Sequence, residues 1–267
     1  MRPVILSERL RTVAHMVTAG NAVCDVGCDH GFVPVYLLQQ GISPKVIAMD
    51  LRDGPLCAAR EHVAAYGLEG KIETRLSDGL HKFESGEAET LICAGMGGGL
   101  MMRILAQERE KTDSFREMIL QPQSEIEKFR RFLRESGYGI LDEEMIQEDG
   151  KFYQVIRAAA GAQISDGCGE KWTAGMMSDE LCKLTDRYGP VLLRKKTPVF
   201  FSFLDHEASV YEEILANLRK EGLTDEKRRA RYAQVEVMLT DNRRALDLSW
   251  LTRLPLLRPG RSPCHSS

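Results

Sequence analysis

The residues best suited to chemistry stand where apolar runs end, and there carboxylates and glycines recur. The first such run, residues 22–26, contains Asp25 and leads into Gly27, Asp29 and Gly31. Glycines at a strand-to-helix turn let the backbone approach a ligand closely. Ligands of open α/β sheets bind at the carboxyl edge of the strands. The segment therefore predicts a ligand-binding loop between a first strand and the following helix.

Two kinds of ligand compete for such a loop. A dinucleotide fingerprint has the pattern Gly-x-Gly-x-x-Gly and places a pyrophosphate on the helix N-terminus, but here the middle glycine position holds Asp29. A carboxylate would repel a pyrophosphate. It suits S-adenosylmethionine, which has no phosphate and carries an ammonium and a sulfonium group. The loop thus favours S-adenosylmethionine over NAD, with an ordinary turn that binds no ligand as the other alternative.

Two further carboxylates follow the next two apolar runs. Asp50 ends the second run, just before Leu51, and Asp78 and Gly79 follow the third. A carboxylate at the end of the second strand typically accepts hydrogen bonds from ribose hydroxyls. One after the third strand would accept from an adenine amino group. Carboxylates at three consecutive strand ends therefore predict a cofactor that contains adenosine.

The fourth apolar run leads into a glycine-rich segment. We expect its first four residues to line the cofactor site: Ala94, Gly95, Met96 and Gly97. The Asn/Asp-Pro-Pro-aromatic motif that many base-amine methyltransferases carry at this position is absent. The glycines leave room for a substrate or for the methionine end of the cofactor, and a flexible loop without contacts is the alternative.

The elements that must position these residues alternate between strand and helix patterns. Strands are expected at residues 22–26, 45–49, 72–76, 90–94 and 118–120. This alternation predicts a parallel sheet covered by helices. Two more strand patterns, 139–146 and 151–158, are joined by a short turn and must pair antiparallel. An α/β, Rossmann-like, mostly parallel sheet with an antiparallel last strand is typical of class I methyltransferases.

Composition and periodicity divide the chain into four segments. Residues 1–160 are expected to form the methyltransferase domain and 161–197 a linker and connecting segment. Residues 198–250 carry two long helical patterns that predict an α-helical hairpin similar to a coiled coil. Residues 251–267 hold prolines and small polar residues and are expected to form a disordered tail.

Basic residues gather in the C-terminal part of a chain whose net charge is −3. Residues 183–267 carry 16 Lys and Arg against 11 Asp and Glu. This asymmetry suggests contact with a polyanion, and a solvated helix surface is the alternative. The RNA-binding candidates are Arg9, Lys195, Lys196, Lys227, Arg228, Arg229 and Arg231.

Several bulk features exclude other classes. Seven cysteines are scattered without zinc-ligand spacing, which predicts reduced thiols, a cytoplasmic location and no bound metal. No run approaches the roughly 18 apolar residues of a membrane span. Charged residues interrupt the N-terminal segment, which therefore does not read as a signal peptide. We expect a monomer.

A set of motifs spread over residues 5–155 resembles the TrmK family of bacterial tRNA (adenine-N1)-methyltransferases. The motifs are Leu6-Ser7-x-Arg9-Leu10-x-Thr12-Val13-Ala14, Asp25-x-Gly27-x-Asp29-His30 with Pro34, Asp53-Gly54-Pro55, Asp78-Gly79-Leu80, Ala94-Gly95-Met96-Gly97-Gly98, Ile119-Leu120-Gln121-Pro122 and Glu148-Asp149-Gly150-Lys151-x-Tyr153. Gln123 departs from the pattern, since some relatives have Asn there. Members of the family also carry a C-terminal helical coiled-coil domain.

The resemblance implies methylation of N1 of adenine 22 in tRNA. Asp29, His30 and Gln121 are then the candidate substrate contacts, because they fall on loops at the carboxyl edge of the sheet. Asp29 or Gln121 would accept from the exocyclic amine of the base, and His30 would stack or hydrogen-bond. The alternatives are a methyltransferase for rRNA or a small molecule, a non-catalytic RNA-binding protein that retains the cofactor fold, and an NAD-dependent oxidoreductase.

Overall fold

The computed structural model describes residues 3–161, 164–165, 171–172 and 179–247 of the chain. The chain divides into two compact units. The first comprises residues 1–164 and 173–192, and the second comprises residues 165–172 and 193–267. Among the described residues, no helix is both long enough and apolar enough to cross a membrane.

The N-terminal part alternates between helix and strand. Its elements are α1 Glu8–His15, β1 Val23–Val26, α2 Phe32–Gln39, β2 Val46–Asp50, α3 Asp53–Ala65, β3 Ile72–Leu76, β4 Thr90–Met96, α4 Gly98–Gln107, α5 Arg109–Asp113, β5 Glu117–Pro122, α6 Ile126–Glu135, β6 Tyr138–Glu148 and β7 Lys151–Ala160. The rest of the described chain contains β8 Ile164–Ser165, β9 Lys171–Trp172, α7 Asp179–Tyr188, α8 Pro190–Lys195, α9 Pro198–Glu221 and α10 Glu226–Leu246.

A seven-stranded sheet has the order β3-β2-β1-β4-β5-β7-β6. The pairs among β3, β2, β1, β4 and β5 are parallel, whereas β7 runs antiparallel to both β5 and β6. The predicted fold class is therefore confirmed. The antiparallel strand β7 does not lie at the edge of the sheet, because the hairpin places β6 outside it.

Each central strand serves two layers of core. In β1, Val23 packs into one apolar cluster, whereas Cys24 and Val26 pack into the cluster on the other face. All four residues of β1 and all five of β2 are buried. Strands covered by helices on both faces read as continuous apolar runs, which is the pattern seen in the sequence. The same burial leaves only the strand ends free to meet a ligand.

A buried ion pair attaches α7 and α8, two helices within the linker and connecting segment expected at 161–197, to the sheet. The Arg130 guanidinium donates to Glu143 (Nε to Oε1, 2.8 Å) and to the backbone carbonyl of Arg187 (NH1, 3.1 Å). The Val191 amide donates to the other carboxylate oxygen of Glu143 at 2.9 Å. Because the partners come from separate elements, local sequence patterns do not reveal this part of the core.

The helical hairpin lies in the second unit. Thr197 caps α9, which has Pro198 in its first turn, and Asp225 caps α10 through a 2.8 Å bond from the Arg228 amide. The two helices pack through a cluster whose buried members are Tyr211, Leu215, Val235 and Leu239. The observed helices begin and end inside the expected segment 198–250, and the expected tail 251–267 lies outside the described residues.

Candidate active-site cleft

A cleft of about 540 Å³ opens at the carboxyl edge of the parallel strands. It brings together most of the residues that the sequence singles out. Those that line it are Arg9, Asp25, Gly27, Asp29, His30, Asp50, Leu51, Asp78, Gly79, Ala94, Gly95 and Met96. Gly31, Gly97 and Gln121 do not line it, although all three were expected at the site.

The loop after β1 is shaped for close approach. Gly27 has φ +77°, and a Cβ there would lie 2.8 Å from the Cε atom of Met96 across the cleft. Asp29 also has a positive φ of +50°, which is uncommon for a residue other than glycine. Gly31 packs against α3, because a Cβ there would lie 3.0 Å from the Cβ of Ala59. It therefore allows α2 and α3 to pack closely.

Asp25 is a buried carboxylate that faces the cleft without a partner. Its exposed fraction is 4 %, and no described group donates a hydrogen bond to it. Burial, together with the charge of Asp50, raises the pKa of Asp25 to about 7. A buried carboxylate without a partner is a group whose ionised form a bound cation would stabilise. The ammonium or sulfonium group of S-adenosylmethionine is such a cation.

Asp50 is buried in a fixed orientation. Its Oδ1 accepts from the Arg52 amide at 2.9 Å, and its Oδ2 accepts from the Asp29 amide at 3.3 Å. Each oxygen keeps a lone pair, so the carboxylate can still accept from a vicinal diol. Leu51, beside it, is 61 % exposed and offers an apolar surface at the cleft. This pairing suits the ribose and the base of an adenosine.

Asp78 lies at the more open part of the cleft. Its carboxylate lies 4.0 Å from the NH2 atom of Arg103, and both side chains are more than half exposed. Gly79 adopts φ +53°, where a Cβ would lie 3.2 Å from the side chain of Ile104. Close packing at Gly79 therefore brings the wall of α4 to the rim of the cleft.

The glycines after β4 serve two purposes. Gly95 lines the cleft, whereas Gly98 allows the loop to pack directly on the loop after β5. A Cβ on Gly98 would lie 2.5 Å from the carbonyl oxygen of Ser124, and one on Gly97 would lie 3.1 Å from its Oγ. The Gly98 amide donates to that same carbonyl at 3.2 Å. This packing argues against a loop without contacts.

Gln121 occupies a place that differs from the expected one. Its side chain is fully buried beneath the cleft, where Oε1 accepts from the NH1 atom of Arg9 (2.7 Å) and from the Gly95 amide (3.1 Å). Its Nε2 donates to the carbonyl of Pro122. Gln121 therefore cannot reach a substrate directly, because it lies inside β5 where every residue is buried. Gln123, two residues later, lines the cleft instead.

The predicted pair Asp29 and His30 stands at the cleft with both side chains about half exposed or more. His30 Nε2 lies 3.7 Å from Asp29 Oδ1, and the backbone carbonyl of His30 is 2.8 Å from Nδ1 of His62. The ring of Phe32, which sequence reasoning missed, lines the cleft and lies 4.5 Å from the His62 ring. An aromatic side chain directly after the glycine of the loop is the signal that points to it.

The basic candidates of the second unit differ in how exposed their side chains are to a ligand. Lys227, Arg229 and Arg231 are exposed on α10. Arg228 is half-buried, with its guanidinium 3.7 Å from the Glu221 carboxylate and 3.5 Å from that of Asp225. Lys195 and Lys196, at and after the end of α8, are also half-buried. The first three are therefore the stronger candidates for contact with a polyanion.

Comparisons with known proteins identify the family to which this sequence and fold are similar. The family model described as "Methyltransferase domain" matches residues 6–156. The tRNA (adenine(22)-N(1))-methyltransferase of Bacillus subtilis is 34 % identical over 218 residues, which cover 80 % of this chain and 87 % of the relative.

Two crystal structures extend the comparison to the fold. The B. subtilis m1A22 tRNA methyltransferase TrmK superposes with a TM-score of 0.73 at 30 % identity, covering 91 % of this chain and 100 % of the other. A Streptococcus pneumoniae protein in complex with S-adenosyl-L-methionine superposes with a TM-score of 0.74 at 30 % identity, with the same coverage.

Proposed function

The chain belongs to the family of tRNA (adenine(22)-N1)-methyltransferases, and we propose that it transfers a methyl group from S-adenosylmethionine to N1 of adenine 22 in tRNA. The identity to the B. subtilis enzyme extends over 80 % of the chain, so it includes residues beyond the methyltransferase domain. The observation that carries the proposal is the unpartnered, buried Asp25 at the floor of a cleft that also holds Asp50 and Asp78.

The cofactor would be held along the strand ends. Asp25 would lie against its cationic methionine part, Asp50 would accept from the ribose hydroxyls, and Asp78 would accept from the adenine amine. Gly27 and Gly95 leave the room that the sulfonium end needs, because a Cβ on Gly27 would already contact Met96. When bound, S-adenosylmethionine supplies an electrophilic methyl group.

The protein's own contribution would be positioning and exclusion of water. Adenine N1 carries a lone pair, so no strong general base is needed before the methyl group is attacked. The base must leave its stack to enter the cleft. Asp29 would accept from its exocyclic amine, and His30 would stack or hydrogen-bond beside it. A carboxylate there would also stabilise the positive charge that N1-methyladenosine carries.

The helical hairpin would hold the body of the tRNA. Lys227, Arg229 and Arg231 are exposed and would track phosphates, whose contacts dominate the affinity of proteins for nucleic acids. Arg228 is occupied by Glu221 and Asp225 and would contribute less. We expect the chain to act in the cytoplasm, as a monomer and without a metal.

The experiment that tests the proposal is transfer of a labelled methyl group from S-adenosylmethionine to a pool of unmodified tRNA transcripts, followed by nucleoside analysis. The proposal predicts label in N1-methyladenosine and in no other nucleoside. Label in a different nucleoside would contradict the chemistry. Cofactor binding without any labelled tRNA nucleoside would instead point to rRNA or a small molecule as the substrate.

A further inference from the structure

Arg9 is held at the cleft by groups from distant parts of the chain. Its NH1 atom donates to the buried Oε1 of Gln121 at 2.7 Å, and its guanidinium carbon lies 5.4 Å from the centre of the Tyr153 ring. The Arg9 amide lies 3.4 Å from a carboxylate oxygen of Glu148, at the end of β6. These contacts come from α1, β5 and the β6–β7 hairpin, so the position of the guanidinium is built by the fold.

The contacts of the Arg9 guanidinium are with uncharged groups. Two other arginines line the cleft, and each has a carboxylate nearby: Arg52 lies 3.9 Å from Asp50, and Arg103 lies 4.0 Å from Asp78. The Arg9 guanidinium forms no salt bridge with any described residue, because Gln121 is neutral and Tyr153 offers only its ring face. Arginine presents five donors in a planar fork, and only one guanidinium nitrogen of Arg9, NH1, donates to a described residue.

From this arrangement we infer that Arg9 is an oxyanion-binding residue of the cleft and that its ligand is a phosphodiester of the target nucleotide. This inference rests on the proposed function. Gln121 and Tyr153 are positioning residues that act through Arg9. A planar guanidinium held on a neutral support suits bidentate recognition of a phosphate. The contact would fix the backbone of the nucleotide whose base has entered the cleft.

The surroundings of Arg9 favour the substrate over the cofactor as the source of the anion. Arg9 is half-buried at the cleft wall, next to Gly95 and Gln123. The exposed Lys151 lies two residues before Tyr153 on the β6–β7 hairpin and adds a second positive charge to that hairpin. Gly95 also lies where the methionine end of the cofactor would fit, so position alone does not separate the two anions. The α-carboxylate of the cofactor is the other anion available in the reaction, and it becomes an outcome of the test.

The test uses the full chain with R9Q, and R11Q serves as the matched control. Arg11 lies on the same helix, is exposed, and lines a different pocket. We expect R9Q to raise the KM for tRNA about tenfold or more, since it removes a charge-assisted contact. The slope of the logarithm of the tRNA-binding constant against the logarithm of the salt concentration should decrease in magnitude by about one. The Kd for S-adenosylhomocysteine should stay within about twofold, and R11Q should resemble the unchanged chain in all three.

Different results separate the possible failures. If R9Q weakens S-adenosylhomocysteine but not methylthioadenosine, which lacks the carboxylate, and leaves the KM for tRNA unchanged, Arg9 binds the cofactor and the inference is wrong. If R9Q matches the unchanged chain throughout, Arg9 binds no oxyanion. If the protein without any substitution methylates no tRNA, the proposed function itself is contradicted, and this inference with it.

Gln121 is tested by non-additivity. Q121L should raise the KM for tRNA much as R9Q does, and adding Q121L to R9Q should change the KM by less than about twofold, because both remove the same contact. Thermal unfolding identifies variants that are simply misfolded. A fully additive effect of the two changes on KM would show that Gln121 acts independently of Arg9 and would overturn its positioning role.

Discussion

Asp25 and Asp50 belong to the neighbouring parallel strands β1 and β2, and the charge of Asp50 adds to burial in raising the pKa of Asp25 to about 7. The two carboxylates differ in their support. Asp50 accepts two backbone hydrogen bonds, whereas no described group donates to Asp25. Asp25 thus keeps its proton to a higher pH than an ordinary aspartate until a cation arrives, and a bound cation favours its ionised form.

Cofactor affinity should therefore depend on pH through Asp25. Below a pKa of about 7, the carboxyl must lose its proton before it can pair with the cofactor's cation. We expect the Kd for S-adenosylhomocysteine to fall as the pH rises from about 6 to about 8 and then to level off. Isothermal titration calorimetry across this range measures the dependence, and D25N should bind more weakly with a flat profile. An equally steep profile in D25N would assign the titration to another group.

The same carboxylate should destabilise the ligand-free protein at neutral pH. Because the folded-state pKa of Asp25 lies above its unfolded value, the folded state holds the proton more tightly. The stability that this bound proton gives the folded state is therefore lost as the pH rises from about 4 to about 7.

We expect D25N to raise the Tm of the free protein by several degrees at about pH 8 and by little at about pH 5. Differential scanning calorimetry at both pH values makes the comparison. E69Q, which changes an exposed carboxylate, should leave the Tm nearly unchanged. A D25N variant that is less stable than the unchanged protein at the higher pH would show that Asp25 is stabilised by a partner.

The Arg130–Glu143 pair should be essential to stability. Neither side chain is exposed by more than 1 %, so removing the cation leaves a buried, uncompensated carboxylate. We expect R130M to cost about 3–5 kcal/mol in the free energy of unfolding, measured with urea. R131M changes the adjacent, 43 % exposed arginine and should cost about 1 kcal/mol or less. Equal losses in the two variants would contradict the role of the buried pair.

The charge of α10 should govern tRNA affinity. We expect the triple variant K227E/R229E/R231E to weaken tRNA binding and to flatten its dependence on salt, because each lost phosphate contact removes about one unit of slope. The matched control reverses three exposed basic residues beside the amino ends of strands, away from the cleft: Lys45, Lys71 and Arg116. Filter binding across a salt series compares the two. Equal effects would mean that net charge alone, and not the hairpin, sets the affinity.

Much of the cleft lining could be predicted from the sequence, because its carboxylates stand at the ends of apolar runs. Asp25 and Asp50 are examples, since a carboxylate that ends a buried run lies at the sheet edge where ligands of parallel α/β folds bind. Gln121 shows the limit of this reasoning. It also follows an apolar run, but whether a side chain lies above or beneath the cleft depends on the register of β5 with β4.

Long-range contacts account for the remaining differences. At the cleft, Arg9 contacts Gln121, which is separated from it by 112 residues, and the distant Tyr153. In the same way, α7 joins the first unit because Arg130 reaches the carbonyl of Arg187, 57 residues later. Neither contact leaves a periodic pattern in the sequence. Motif resemblance placed Arg9 and Tyr153 in one set but did not show that they touch.

Methyl transfer to a matched pair of tRNA transcripts that differ only at nucleotide 22 decides between adenine 22 and any other target. We expect one N1-methyladenosine in the transcript with adenine 22 and none in the transcript with guanine 22. Equal labelling of both transcripts, or label in another nucleoside, would contradict the assignment of N1 of adenine 22 as the target.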